Sequence, residues 1–304
     1  MYLEHFGLRE LPFSLTPNTQ FFLNMASYHK AYNLLMVSLA NVEGFIKIVG
    51  EVGTGKTMLC RKVLNTLEED KDHYITAYIP NPVLSPKGLF LAFAEELNIN
   101  VDQDIGHHSL LKVITKRLVD LSADKKQVVL FIDEAHAMPE QTMEALRLLT
   151  NIETEQTKLF QVVLFGQPEL DVILRQSSMR QLLQRITFSF QIEALDREGV
   201  ERYVQHRLAT AGYNGPFLFS KRALDLLYKT SEGIPRVINI LCHKAMLAAF
   251  GRGERNIQVT HVRSAAEDTE GVVIPAFNYK PALIAITGIL VGAALIFYLG
   301  RYYL

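Results

Sequence analysis

Between Gly44 and Ile192, short runs of β-branched and aromatic residues alternate with stretches whose apolar positions recur every three or four residues. That alternation predicts a parallel sheet with helices on both faces. Strands are expected near Phe45–Val49, Tyr74–Ile79, Val128–Ile132, Phe160–Phe165 and Thr187–Ile192. Ser85 before Pro86 has the form of an N-cap and first-turn proline, opening a helix that runs to about Leu97. A second helix is expected from Ser109 to about Leu121. Pro139 opens a third, in which Met143, Leu146 and Leu149 make one apolar stripe. Beyond Leu195 the pattern is helical only, over Asp196–Ala211, Ser220–Ser231, Pro235–Phe250 and Thr260–Asp268, with Asn214-Gly215 and Gly251 to Gly253 as turns.

The last apolar run is of another kind. Ala282 to Gly300 is 19 residues without a charge, which as a helix spans roughly 28 Å, close to the hydrocarbon thickness of a bilayer. Lys280 and Arg301 bracket it, and Tyr298, Tyr302 and Tyr303 suit an interfacial belt. Gly288 and Gly292 form a GxxxG through which two such helices can approach. The expected order is an N-terminal segment packing on the core (1–42), an α/β domain (43–194), an all-helical lid domain (195–270), a linker (271–280), one transmembrane helix (281–300) and a short tail (301–304).

Composition narrows this picture. The chain has 304 residues, 49% of them hydrophobic and 21% charged, enough to bury a core of ordinary size. Lysine and arginine total 31 against 32 acids, so a net charge of −1 supplies no overall attraction for nucleic acid or anionic lipid. Cys60 and Cys242 lie far apart within predicted helices, as free thiols of a reducing compartment do. Met1 to Glu10 carries acids and no apolar run, unlike a secretory signal.

Candidate chemistry begins at Gly50-Glu51-Val52-Gly53-Thr54-Gly55-Lys56-Thr57, which matches GxxxxGK[ST] between a predicted strand and a predicted helix. Backbone N–H groups of such a loop, running on through Met58, point at phosphate oxygens, and the helix start adds its positive dipole end. Lys56 is then the group for the β- and γ-phosphates of a bound nucleotide, and the Thr57 hydroxyl a ligand for magnesium. The apolar run Val128–Ile132 ends in Asp133-Glu134. Asp133, leaving the carboxyl end of a buried strand, is placed to orient the metal, and Glu134 to polarise an attacking water. Gln167, leaving the Phe160–Phe165 strand, is a candidate sensor beside the γ-phosphate. Arg180 and Arg185 flank a short helical stretch before the last strand, and Arg185 is preferred as an arginine finger reaching an adjacent subunit. Arg236, in Gly233-Ile234-Pro235-Arg236, sits in a helix's first turn, from where it can report nucleotide state to the lid.

Together these residues resemble the AAA+ ATPases of the ExeA, GspA and MshM group, whose members support type II secretion or assembly of the mannose-sensitive haemagglutinin pilus. The resemblance covers most of residues 1–270. It rests also on Tyr2-Leu3-Glu4-His5-Phe6-Gly7-Leu8, Pro12-Phe13-Ser14-Leu15-Thr16-Pro17, Asp133-Glu134-Ala135-His136 and Gly166-Gln167-Pro168-Glu169-Leu170. It implies sensor one at Gln167, a finger near Arg185, sensor two at Arg236, and a homo-oligomeric ring with nucleotide between subunits. With the uncharged run 282–300 it points to a bacterial inner-membrane protein crossing once, and because ATP lies inside, the ATPase domain is expected in the cytoplasm. Secretion members continue past the membrane into a peptidoglycan-binding domain, whereas only Arg301 to Leu304 follow the run here. That departure argues against peptidoglycan binding and favours the pilus member. Phe13 and Phe21 are open to two readings, neighbours of the adenine or plain core.

The leading expectation is therefore a membrane-anchored, magnesium-dependent ATPase that drives assembly of a pilus or secretion machine. A DNA-binding regulator of the transposition type is the alternative from another class, with Arg252, Arg255 and Arg263 as its basic face, although near-zero net charge argues against nucleic acid. A nucleotide-gated scaffold with little hydrolysis is the third.

Overall fold

The structure is a computed structural model that describes residues 2–16, 18–23, 25–102, 104–151 and 158–275. The chain opens with a short helix, α1 (Tyr2–Phe6), a 3-10 turn at Thr19–Phe21, and α2 (Ala26–Ala40). It then alternates: β1 (Phe45–Gly50), α3 (Lys56–Glu69), β2 (Tyr74–Ile79), α4 (Pro86–Glu96), α5 (His107–Ala123), β3 (Gln127–Ile132), α6 (Glu140–Leu149), β4 (Phe160–Gly166), α7 (Glu169–Leu174), α8 (Arg180–Arg185) and β5 (Ile186–Ile192). Four helices follow: α9 (Arg197–Thr210), α10 (Lys221–Ser231), α11 (Pro235–Gly251) and α12 (Val259–Glu267).

The strands form one five-stranded sheet in the order β2-β3-β4-β1-β5, and every pairing is parallel. Strands β1 and β4 are buried at every position, as unbroken apolar runs require when helices cover both faces. Side-chain alternation along the strands divides the core in two. Ile46, Ile48, Val129, Phe131, Val163 and Phe165 face α2 and α3, in a cluster that runs on without a break into α9 to α12. Phe45, Val49, Val128, Leu130, Val162 and Leu164 face the side covered by α4, α5 and α6. The lone cation inside β1, Lys47, is 7% exposed and pairs with Asp171 of α7.

Caps fall where side-chain chemistry places them. Ser85, Asp196 and Ser220 accept N–H bonds from Gly88, Gly199 and Ala223 and open α4, α9 and α10. Helix α5 starts two residues ahead of its expected Ser109, because Gly106 in extended conformation acts as N-cap and His107-His108 fill the first turn. Helix α2 buries Tyr28, Ala31, Leu35 and Leu39 along one face, yet the apolar Val37 is 60% exposed, so the sequence pattern alone does not mark the helix.

Among the described residues, no helix is long and apolar enough to cross a membrane. The expected span at 281–300, and the tail after it, lie outside the described residues. Of the expected linker 271–280, the described part docks on the core through Val272 and Ile274.

Candidate functional site

Parallel strands bring their carboxyl ends to one edge of the sheet. Because β3, β4 and β1 are neighbours there, the loop after β1, the acids after β3 and Gln167 after β4 lie side by side.

The loop from Gly50 to Lys56 wraps the start of α3. Lys56 is 5% exposed, and its ammonium donates to the carbonyls of Gly50 at 2.8 Å and Glu51 at 2.9 Å. Burial holds its pKa below the ordinary lysine value, against the opposing attraction of Glu134, Asp133, Glu51 and Glu169. Thr54 closes the turn through its hydroxyl on the Glu51 carbonyl at 2.7 Å, and the buried Tyr28 hydroxyl donates to the Thr54 carbonyl. Gly53 has φ +81°, and a Cβ there would stand 2.6 Å from Cβ of Arg236. The Arg236 amide donates to the Gly53 carbonyl at 3.2 Å, so the first turn of α11 sits directly on the loop.

Asp133 is 2% exposed. Its Oδ2 accepts from the Thr57 hydroxyl at 2.7 Å and its Oδ1 from the Glu134 amide at 2.9 Å. Burial raises its pKa, and these two bonds with the nearby Lys56 charge pull the other way. Glu134 holds φ +50°, a left-handed conformation that a non-glycine residue adopts at a cost. Its Oε2 accepts from the Gln167 amide Nε2 at 3.2 Å and lies 3.5 Å from His136 Nε2. The Gln167 backbone N–H donates to His136 Nδ1 at 3.4 Å. The Glu134 carboxylate thus meets two polar groups, the Gln167 side-chain amide and the His136 ring.

A cleft of about 320 Å³ opens between the sheet edge and the last helices, within the range that holds a small ligand. Val52, Gly53, Gly55, Lys56, Thr57, Met58, Glu134, Gln167 and Arg236 line it. Asp133 lies behind Thr57, and Gly50, Glu51 and Thr54 shape the loop from behind. Neither Arg180 nor Arg185 lines the cleft. Arg185 donates to the Thr150 hydroxyl at 2.7 Å and to the Asn151 side chain, while Arg180 is exposed.

Periodicity gave no hint of Tyr28, Tyr203, Arg207 or Asn239, which also line the cleft. Tyr28 comes from the little-marked α2, and the others are internal positions of α9 and α11. Phe21 and Phe22 line the cleft as well, whereas the buried Phe13 packs on Phe219 and is core. Cys60 and Cys242 are buried free thiols whose pKa burial pushes well above the ordinary value.

The donor set fits a magnesium triphosphate. Amides of Lys56, Thr57 and Met58 have no backbone acceptor among the described residues, as at any helix start, and a hydroxyl and a carboxylate oxygen meet beside them, hard donors of the kind magnesium takes.

Comparison with known proteins agrees with this fold. Residues 40–174 match the family model described as AAA domain. General secretion pathway protein A of Aeromonas hydrophila is 40% identical over 294 residues, 96% of this chain and 53% of that protein. The chain thus spans about half the length of the curated relative it matches. The ORC2 protein of Aeropyrum pernix, solved in ADPNP–ADP complexes, superposes with a TM-score of 0.62 at 14% identity, over 86% of this chain and 73% of that one. The ORC1 protein of the same organism, solved with DNA, gives 0.63 at 20% identity, over 86% and 69%. At these identities the two structures speak for the fold alone.

Proposed function

The chain belongs to the ExeA/GspA-like AAA+ family, and from that premise we propose that it binds ATP in the cleft between the sheet edge and the last helices and hydrolyses it. The observation that carries this reading is the meeting of Thr57, Asp133, Glu134 and Gln167 around the buried Lys56. The loop amides and Lys56 bind the phosphates, exchanging carbonyl partners for charged oxygens, which hydrogen-bond an ammonium more strongly. Magnesium, when bound, would neutralise phosphate charge, and Thr57 and Asp133 are the residues that would hold it. Glu134 takes the proton of an attacking water, and Gln167, now bonded to Glu134, orients that water beside the γ-phosphate. Arg236 joins the phosphate end of the cleft to α11, so the four last helices act as a lid. Arg185 completes the site of a neighbouring subunit in a homo-oligomer.

The family relation supports work for an envelope machine of the secretion or pilus type. The uncharged run 282–300 is the proposed tether, which leaves the ATPase cytoplasmic.

Steady-state hydrolysis and equilibrium ATP binding test the core of this. Glu134→Gln is expected to keep ATP affinity and to lose about two to four orders of magnitude in turnover, while Lys56→Ala loses binding itself. Equal ATP binding by Lys56→Ala and the unaltered chain would sink the reading. Turnover unchanged by Glu134→Gln would leave a nucleotide-gated scaffold.

A further inference from the structure

Arg207, an internal residue of α9, lines the cleft although only 4% of its surface is exposed. A guanidinium keeps its charge at any ordinary pH, so burying one is costly unless other groups replace its water. None of the ion pairs among the described residues includes it. Its partners are two backbone carbonyls and two rings. Nε donates to Pro12 O at 2.5 Å and Nη2 to Ser14 O at 3.1 Å, while the Phe21 and Tyr203 centroids lie 4.5 and 5.8 Å from the guanidinium carbon.

Pro12, Ser14 and Phe21 belong to the connection between α1 and α2, whose described residues hold no strand and one 3-10 turn. Ser14, Leu15, Thr16, Phe21 and Phe22 of this connection line the cleft. A wall with so little regular structure needs an outside anchor to keep one shape. Arg207 provides one, since its planar fork holds two carbonyls while its faces meet aromatic rings.

We propose that Arg207 is a positioning residue for nucleoside recognition: by pinning the N-terminal connection to α9 it builds the wall that grips base and ribose, while the loop at residues 50–57 grips the phosphates. This rests on the ATP-binding reading and divides that site into two separately testable halves. It also gives the lid helices a second hold on the nucleotide besides Arg236.

The test compares equilibrium binding of ATP and of inorganic tripolyphosphate to the full chain and its variants, with circular dichroism to check folding. Unaltered protein is expected to prefer ATP, because tripolyphosphate offers nothing to the nucleoside wall. Arg207→Met should lose about tenfold or more of that preference, the equivalent of a charged hydrogen bond, with tripolyphosphate affinity changed less than about twofold. Arg207→Lys should not restore it, since a point-charge ammonium cannot hold both carbonyls in fork geometry. Should Arg207→Met fail to fold, Phe21→Leu, which keeps the charge and removes one ring face, is expected to show a partial loss in the same direction. An ATP-to-tripolyphosphate ratio unchanged in a folded Arg207 or Phe21 variant overturns the proposal, as does equal loss of both ligands. Lys56→Ala reports on the other half: it should weaken both ligands, and ATP binding indifferent to it counts against the ATP reading itself.

Discussion

At the scale of single residues, the site is built from groups held away from their comfortable states. Lys56 is buried with its pKa lowered, Asp133 is buried with its pKa raised, and Glu134 sits at φ +50°. Such tension is common where a ligand is to be bound, because the protein is complementary to the complex rather than to itself. Lys56 makes the sign testable. With the folded pKa below the ordinary 10.5, the unfolded chain binds the proton more readily in the interval between, so folding stability rises with pH through that interval. Urea unfolding of the nucleotide-free protein should therefore show the unaltered chain gaining on Lys56→Met as pH climbs toward 10.5. Parallel pH profiles for the two proteins would refute it. Both acids and the lysine are readable in the chain itself, since the loop spacing and the strand-ending acid pair are local patterns. The burial of Lys56 and Asp133 is not, because it depends on what the fold brings over them.

Among elements, the decisive junction is the turn before α11. Gly233 has φ +74°, and a Cβ there would lie 2.0 Å from the Leu195 carbonyl oxygen, while its own carbonyl accepts the Leu195 amide at 2.9 Å. Two segments cross there at backbone distance, and Pro235 then starts the helix whose next residue bonds Gly53. Gly233→Ala combines a backbone clash with a strained φ, and should cost about 3 kcal/mol or more. Removing an ordinary cap, Ser220→Ala at α10, should cost about 1 kcal/mol. Denaturant midpoints for the two variants check the contrast, and similar small losses for both would show that the Gly233 junction yields. Strand runs and caps were legible because period and cap chemistry are local. Helix α2 was not, since its exposed side also carries apolar residues such as Val37, which blurs the stripe that periodicity detects.

For the whole molecule, one hydrophobic cluster runs from the α2 and α3 face of the sheet into α9 to α12. The core and the helical end are therefore expected to unfold together, in one calorimetric transition for residues 1–275, despite their different secondary structure. Bound across the cleft as proposed, ATP should raise that transition, by the equivalent of about 2.7 kcal/mol at a hundredfold excess over Kd. Lys56→Ala should show no such rise, and two separate transitions would contradict the shared core. Arg185 tests the assembly: if it serves a neighbour, per-chain turnover climbs with protein concentration, and Arg185→Ala lowers turnover while leaving ATP affinity in place. A concentration-independent rate would confine Arg185 to its bonds with Thr150 and Asn151.

By itself the chain determined what neighbouring residues settle among themselves. Those features are the five strands, the capped helices, the glycine-rich loop at residues 50–57, the acid pair and the helical end after Leu195. Each follows from spacing, side-chain volume and local hydrogen bonding, which act over a few residues. The tertiary structure alone decided which distant positions share the cleft: Tyr28 on the Thr54 carbonyl, Arg236 on Gly53, and Arg207 between Phe21 and the Pro12 backbone. Contacts between residues 26 to 195 positions apart leave no period along the chain. They exist only once the sheet has ordered its strands and the last helices have closed over its edge.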